Sequence, residues 1–193
     1  RATVRMTRAD QGVDLLITGV EVEGLAATEA LLDFAAFHNL ARLSIDEGFG
    51  PSARWEPEPV TITLGTVPVA LPEGAFLQAT PQGEAALVEA VRHAVVDRRA
   101  IADLFAGLGT FALSIDGVIH AAEGGRDPLV ALQVSARKAG RQIVCEHRDL
   151  FRRPLSPDEL DRFEAVILDP PRAGAKEQVE QLAKSRVACI SYV

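Results

Sequence analysis

Hydrophobic positions follow two different patterns along the chain, and the change falls near residue 75. Beyond that point, short apolar runs alternate with segments whose apolar residues recur every three or four positions. The apolar runs predict five strands, at residues 100–105, 118–122, 142–146, 163–168 and 187–193. The periodic segments predict helices at 84–96, 128–139 and 177–184, and a further helix that opens at 109–114. Continuous apolar strands separated by helices are typical of a doubly wound parallel sheet, so we predict a Rossmann-like α/β domain over residues 76–193.

Residues 1–75 predict a smaller α+β domain. Runs rich in β-forming residues predict strands at 2–8, 14–20 and 42–45, and an alanine- and leucine-rich segment predicts a helix at 25–40. Prolines at 51, 57 and 59 predict a loop. The runs 60–64 and 67–71, separated by Gly65-Thr66, predict a hairpin. No chemical motif occurs in this part, so we expect function to lie in the second domain.

Composition limits the class of protein. The 193 residues are 48% hydrophobic and 24% charged, which is ordinary for a globular chain. No apolar run approaches the roughly 20 residues that a membrane span needs, and no basic-then-apolar leader opens the sequence. The two cysteines have no metal-ligand spacing, so we expect no metal site and a reducing cytoplasm. The chain starts at Arg1 without a methionine and stops at Val193 inside a predicted strand, so we expect truncation at both ends.

Acidic residues stand at the ends of successive predicted strands. Ligands of doubly wound sheets bind beyond the carboxyl ends of the strands, so these side chains are the candidate site. The acids are Asp103, Glu123, Asp149 and Asp169. After the first of these strands, Phe105 is followed by Gly107 and Gly109, and we expect both glycines to let the backbone approach a ligand closely because neither has a Cβ.

Two cofactors fit this arrangement. Gly107-x-Gly109-x-x-Ala112 matches the dinucleotide fingerprint in its alanine form, which predicts NAD. A pyrophosphate is bound by amides and positive charge, whereas this site offers four carboxylates. Such a negative field suits the cationic S-adenosylmethionine (SAM) better, so SAM is the favoured prediction. A third interpretation is that the glycines only form a tight turn between strand and helix.

The motifs around these acids resemble those of the RNA uracil-5 C-methyltransferases, which are class I SAM-dependent enzymes. The resemblance is carried by Phe76-Leu-Gln-Ala-Thr80, Asp103-Leu-Phe-Ala-Gly-Leu-Gly-Thr-Phe111, Ala122-Glu-Gly124, Asp169-Pro-Pro-Arg-Ala-Gly174 and Ile190-Ser-Tyr-Val193. It covers residues 76–193 closely and residues 1–75 much less specifically. It implies a class I methyltransferase sheet, incomplete at its C-terminus, and SAM-dependent methylation of carbon 5 of a uridine in ribosomal or transfer RNA.

The resemblance also implies individual roles in a SAM site. Gln78 holds the cofactor from the entry segment, Phe105 and Thr110 line the glycine turn, Glu123 binds the ribose, Asp149 lies near the adenine and Asp169 lies near the methionine end. The nucleophilic cysteine of the family follows in a Ser-Cys-Asn-Pro motif that these 193 residues do not contain. The family's general base, its RNA-binding barrel and the iron–sulfur cysteines of many members are not matched either. We therefore expect this chain to bind SAM but not to methylate, with Cys145 and Cys189 packed inside strands.

Charge and motif leave alternatives open. The net charge of −7 is unusual for an RNA-binding protein, and residues 1–75 carry most of it, at −6. RNA is the expected partner of the full-length protein, with no membrane involved.

One alternative is an amino-methyltransferase that uses Asp169-Pro-Pro on a nucleobase nitrogen, although Arg172 stands where a stacking aromatic is needed. The other is a module that binds SAM or RNA without catalysis.

Overall fold

A computed structural model describes residues 2–193 and divides the chain into two compact units. One unit extends to Thr63 and includes Pro68–Leu77, and the other comprises Leu64–Val67 and Gln78–Val193. The predicted domain boundary at residue 75 remains a prediction, because compact units alone do not establish independent folding. Within the described residues, no helix combines the length and the apolar character that a membrane crossing requires.

The first unit contains a four-stranded sheet in the order β1-β2-β3-β4. Its strands are β1 (Thr3–Ala9), β2 (Gly12–Thr18), β3 (Arg42–Asp46) and β4 (Pro51–Trp55). Helix α1 (Leu25–Phe37) connects β2 to β3, which pair in parallel, whereas the other pairs are antiparallel. Leu43 and Ile45 form a core with Ala35 of the helix. A predicted loop begins at Pro51, but the structure has β4 there, because an edge strand tolerates a proline as its first residue.

A predicted hairpin is confirmed between β5 (Thr61–Leu64) and β6 (Val67–Ala70). Gly65 at its turn has φ 61°, a left-handed conformation that glycine adopts at little cost. The two strands form a small sheet of their own.

The second unit is built on a five-stranded sheet in the order β11-β10-β7-β8-β9, with every pair parallel. The strands are β7 (Ala100–Leu104), β8 (Val118–Glu123), β9 (Ile143–His147), β10 (Ala165–Leu168) and β11 (Cys189–Tyr192). The helices are α2 (Pro81–Ala94), α3 (Arg126–Lys138), α4 (Pro157–Leu160) and α5 (Lys176–Leu182). This doubly wound sheet confirms the predicted fold class. The chain builds β7, β8 and β9 outward in one direction and then returns to place β10 on the other side of β7.

One predicted helix is absent from the second unit. Residues 107–114 form consecutive turns rather than a regular helix. The amide of Ala112 donates to the Asp103 carboxylate at 2.9 Å, so it is diverted from the helical ladder. The amides of Gly109 and Ser114 make three-residue turn bonds to Ala106 and Phe111 at 2.8 and 2.9 Å. The short helix α4 was not predicted, although Ser156 and Glu159 form a full capping box at its start.

Candidate functional site

The candidate site lies where the strand order of the second unit reverses, between β7 and β10. Asp103 is on β7 next to Leu104, which pairs with Leu168 at the end of β10, and Asp169 follows directly. Glu123 is the last residue of β8, on the other side of β7, and Asp149 follows β9 by two residues. All four predicted acids therefore stand at the carboxyl edge of one parallel sheet, which is where ligands of such sheets bind.

Asp103 is completely buried, with 0% of its surface exposed. Its Oδ2 accepts the Ala112 amide, while its Oδ1 has no hydrogen-bond partner in the described part of the chain. Burial raises the pKa of this carboxyl to about 7; the hydrogen bond from Ala112 opposes the shift, and the Asp169 and Glu123 carboxylates add to it. These two carboxylates therefore act on the same buried group. Asp103 itself has no surface for ligand contact, so the predicted direct contact is corrected to a supporting position behind the turn.

The glycine turn is held against β8 by several backbone bonds. Phe105 has φ 63°, and its amide and that of Ala106 both donate to the Ala122 carbonyl, at 3.0 and 3.1 Å. The amide of Gly107 donates to Glu123 Oε2 at 2.9 Å. Contacts within the protein thus fix the turn, including the strained backbone of Phe105.

The two glycines of the turn have different roles. A Cβ placed on Gly107 would meet nothing within 4 Å, so the space in front of this residue is open. A Cβ on Gly109 would lie 2.4 Å from Leu132 Cδ1 on α3, and Gly109 is buried. Gly107 therefore fits the predicted close approach of a ligand. The missing side chain of Gly109 makes room for the packing of α3, and the predicted approach of a ligand to its backbone stays a prediction.

Glu123 joins two loops at the edge of the site. Its Oε2 accepts the Gly107 amide, and its Oε1 accepts the Gly125 amide at 2.6 Å. The carboxylate is half-buried, and each oxygen keeps a further lone pair. Glu123 is thereby fixed in place and still able to accept hydroxyl donors.

Asp149 is partly exposed, with 46% of its side chain accessible. Its Oδ1 accepts the amides of Phe151 and Arg152 at 3.0 and 3.2 Å. The Phe151 ring packs on the Phe105 ring with centroids 5.3 Å apart. The loop that carries Asp149 thus contacts the glycine turn directly.

Asp169 is half-buried, and burial raises the pKa of its carboxyl. Within residues 2–193 no hydrogen bond to this carboxylate is found, and no ion pair joins Arg172 to Glu177 nearby.

Gln78 is half-buried in the irregular segment before Thr80, the N-cap of α2, and no bond of its side chain to the acids is found in the described residues. Thr110 is half-buried within the turns that follow Gly109. The roles of Gln78 and Thr110 therefore stay predictions.

Neither cysteine lies at this edge. Cys189 is the first residue of β11, at the opposite end of the sheet, and its thiol donates to the Ala94 carbonyl at 3.1 Å. Cys145 is in the middle of β9, where burial raises the pKa of its thiol. Both are half-buried rather than fully packed. No cluster of three metal-ligating side chains occurs among residues 2–193.

Sequence reasoning missed two residues beneath the Asp149 loop. Arg148 donates to two backbone carbonyls and two carboxylates, and Gln178, which is completely buried, bonds both polar backbone atoms of Leu155. The only local signal for this arrangement is the pairing of Ser156 with Glu159, which predicts a helix start near the end of the loop.

Sequence comparison places the chain among known proteins. It is 59% identical over 194 residues to an uncharacterized RNA methyltransferase of Zymomonas mobilis, covering 100% of this chain and 49% of that protein. The chain belongs to this RNA methyltransferase family. Another relative, the 23S rRNA (uracil(1939)-C(5))-methyltransferase RlmD of Chromohalobacter salexigens, is 31% identical over 179 residues, which are 83% of this chain and 36% of that protein. The chain spans about half or less of the length of these RNA methyltransferases.

The fold has a solved counterpart. The Pyrococcus abyssi tRNA (uracil-54, C5)-methyltransferase, crystallised with S-adenosyl-L-homocysteine, superposes with a TM-score of 0.72 over 98% of this chain and 48% of its own. The identity is 18%, so this likeness concerns the fold alone. No known family model matches the chain.

Proposed function

We propose that this chain is the SAM-binding part of a methyltransferase that acts on RNA. The observation that carries the proposal is the group of carboxylates at the switch point of the sheet. Asp169 and Glu123 lie close enough to the buried Asp103 to raise its pKa, and the space in front of Gly107 beside them is open. No cationic side chain is bonded to these three acids in the described residues. Such a site favours a ligand that brings positive charge, and it disfavours a pyrophosphate.

The residues present fit SAM on two further counts. Asp103 Oδ1 is buried without a partner, and among residues 2–193 no ion pair offsets the negative charge of the neighbouring Glu123 and Asp169. Gly107 leaves space where any larger side chain would block a ligand. SAM supplies an activated methyl group on a positively charged sulfur when bound. We assign Glu123 to the ribose hydroxyls, Asp149 to the adenine amine and Asp169 to the methionine end, with Phe105, Gly107 and Thr110 lining the turn and Gln78 approaching from the entry segment.

Asp103 and Gly109 complete the site without touching the cofactor in this proposal. Asp103 holds the turn through Ala112, and Gly109 allows α3 to pack beneath it. Both residues therefore maintain the shape of the crevice. Their substitution is expected to act on stability and on the position of the turn.

We propose carbon 5 of a uridine in RNA as the methyl acceptor of the whole protein. The support is the resemblance of Asp169-Pro-Pro-Arg-Ala-Gly174 to the uracil-5 enzymes and the similarity to the uracil-C5 methyltransferase of Chromohalobacter salexigens. Methylation at carbon 5 releases the hydrogen of that carbon, whereas methylation of a base nitrogen does not. RNA carrying tritium at uridine carbon 5 therefore distinguishes the two: release of tritium by the full-length protein supports the proposal, and methyl transfer without release supports the amino-methyltransferase alternative.

We further propose that residues 1–193 alone bind the cofactor without methylating. Carbon 5 of uracil needs a thiolate to be activated, and neither Cys145 nor Cys189 lies at the acidic edge. Transfer of label from SAM to uridine by a polypeptide of residues 1–193 would contradict this assignment.

Titration calorimetry tests the cofactor proposal. We expect SAM and S-adenosylhomocysteine to bind and NAD to release no heat of binding. Glu123→Gln and Asp169→Asn are each expected to weaken SAM about tenfold, because each removes a charge-assisted contact. Glu180→Gln, an exposed change on α5, is the matched control and leaves the affinity unchanged. Tighter binding of NAD than of SAM would overturn the proposal.

A further inference from the structure

We propose that Arg148 and Gln178 are positioning residues that clamp the loop after β9, so that Asp149 selects a 6-amino purine over a 6-oxo purine in the cofactor. This inference rests on the proposed function, since it concerns the adenine end of the same site. Neither residue belongs to a predicted motif. Both act through the loop of residues 149–155 rather than on the ligand.

The guanidinium group of Arg148 bonds the end of this loop and two neighbouring carboxylates. Its Nε and Nη2 donate to the carbonyls of Arg153 and Pro154 at 2.6 and 2.9 Å. Its Nη1 and Nη2 also form a bidentate pair with Glu159 at 2.7 and 2.9 Å, and Nη1 reaches Glu146 at 3.1 Å. The side chain is only 13% exposed. A planar fork of donors makes this set of bonds, and a lysine ammonium cannot.

The Arg148–Glu159 pair remains ionised over the working pH range. Hydrogen bonding from Arg148 and from the Ser156 backbone lowers the pKa of Glu159 to about 2. Glu159 also accepts the Ser156 amide at 2.8 Å, which ties the pair to the start of α4. The loop is therefore anchored on a helix terminus as well as on the guanidinium.

Gln178 fixes the end of the loop from another direction. It is on α5, the helix that follows the Asp169-Pro-Pro-Arg segment, and it is completely buried. Its Oε1 accepts the Leu155 amide at 2.8 Å, and its Nε2 donates to the Leu155 carbonyl at 3.2 Å. The side-chain amide of Gln178 thus bonds both the N–H and the C=O of Leu155, which is how a neighbouring strand pairs with a residue in a sheet. It links the element after Asp169 to the loop that carries Asp149.

The loop that the clamp holds determines which lone pairs Asp149 can offer. Its Oδ1 is occupied by the amides of Phe151 and Arg152, so the carboxylate is oriented by its own loop. Among residues 2–193, its Oδ2 faces only the Nε of Arg152 at 3.5 Å, a side chain that is 87% exposed and therefore a weak competitor. An ionised carboxylate oxygen accepts hydrogen bonds and does not donate them. The 6-amino group of adenine donates, whereas the 6-oxo group of hypoxanthine accepts, so a fixed Asp149 accepts the first and repels the second.

The test compares two ligands that differ only at this position, S-adenosylhomocysteine and S-inosylhomocysteine, by titration calorimetry on the protein. We expect the wild-type protein to prefer the adenosine compound by about 30-fold, because a site built to pair a donor rejects an analogue that lacks it. Asp149→Asn presents an amide and is expected to reverse or abolish the preference. Arg148→Lys and Gln178→Met are expected to reduce the preference to about threefold or less. Arg186→Lys is the matched control, because Arg186 pairs with Asp161 in the same unit on an exposed surface, and its preference stays that of the wild type.

A purely structural role for the clamp gives a different result. If Arg148→Lys and Gln178→Met weaken both ligands equally and leave the ratio intact, the inference is overturned while the proposed function stands. Glu159→Gln removes one charge of the Arg148 pair and keeps the shape, so it serves as a second test if Arg148→Lys does not fold. An affinity ratio of the two ligands between those of wild type and Arg148→Lys supports the inference, and a wild-type ratio contradicts it. Failure of the wild-type protein to bind S-adenosylhomocysteine would overturn the proposed function and this inference together.

Discussion

The Asp103 carboxylate accepts the backbone amide of Ala112 at 2.9 Å in the completely buried interior of the second unit. This single bond joins the end of β7 to the turns behind the glycine loop. It also removes one amide from the helix that the sequence predicted there. A side chain that is wholly inside the protein thus determines the shape of the surface where the cofactor is proposed to bind.

The pH dependence of unfolding is expected to change in Asp103→Asn. Burial raises the folded-state pKa of Asp103 to about 7 from an unfolded value of 3.8, so the folded state holds the proton more tightly. The protonated Asp103 carboxyl therefore contributes fully to the free energy of unfolding below pH 4, and this contribution is lost as the pH rises through about 7. The asparagine retains an acceptor for Ala112 and does not ionise. We expect the variant to gain about 2 kcal/mol relative to the wild type between pH 5 and pH 8. Urea unfolding at several pH values measures this difference, and parallel curves for the two proteins would contradict it.

SAM is expected to gain affinity over S-adenosylhomocysteine as the pH rises from 6 to 8. Burial raises the pKa of Asp103 to about 7, so its negative charge develops in this range. Burial also raises the pKa of Asp169 above its ordinary value. The two ligands share their amino and carboxylate groups, and only SAM has a charged sulfur, so the ratio of their affinities isolates the effect of the site. We expect an increase of about threefold in the ratio, which Asp103→Asn reduces. Calorimetry at the two pH values measures it, and a ratio that falls with pH would argue against the site.

Alanine at the two glycines of the turn is expected to give opposite phenotypes. Gly107→Ala places a methyl group in open space at φ 55°, so the protein folds with a loss of about 1 kcal/mol but binds SAM at least tenfold more weakly. Gly109→Ala places its methyl group 2.4 Å from Leu132 Cδ1 at φ 92°, and we expect a loss of about 3 kcal/mol in stability. Urea unfolding and calorimetry measure both effects.

Adding Leu132→Ala to Gly109→Ala is the control for the clash, because it removes the atoms that the new methyl group meets. We expect the double variant to be more stable than the sum of the single losses implies. Strict additivity would show that backbone strain, rather than the contact with Leu132, causes the loss.

The first unit contains a buried ion pair whose disruption is expected to be costly. Arg42 donates to both carboxylate oxygens of Asp14, at 2.9 and 2.7 Å, and their side chains are 5% and 6% exposed. Asp14→Ala leaves the guanidinium buried without its partner, so we expect a loss of about 3 to 5 kcal/mol. The double variant Asp14→Leu, Arg42→Met is expected to recover most of it. Glu47→Ala breaks the exposed pair with Arg54 and is expected to cost under about 1 kcal/mol. Urea unfolding compares the three proteins, and equal losses in Asp14→Ala and Glu47→Ala would refute the argument.

The sheet and the positions of its acids were predictable because apolar runs and strand ends are local features. The role of Gly109 was not, because it depends on Leu132, a residue on the next helix. Strand β4 was not predicted because prolines indicate a loop, although Pro51 is the first residue of an edge strand, a position that tolerates proline. Residues 109–114 were predicted to open a helix, because periodicity does not show that a buried carboxylate takes one of the amides. Arg148 and Gln178 were missed for the same reason, since their partners are loop backbone atoms that no pattern marks.

The strand order also determines when the site is completed during protein synthesis. Three neighbouring strands, β7, β8 and β9, leave the ribosome first and bring Asp103, Glu123 and Asp149 with them. The remaining acid, Asp169, arrives only when β10 returns to the uncovered flank of β7. A nascent chain that ends before this return carries three of the four acids and an open strand edge on β7, so we expect it to lack a complete cofactor site.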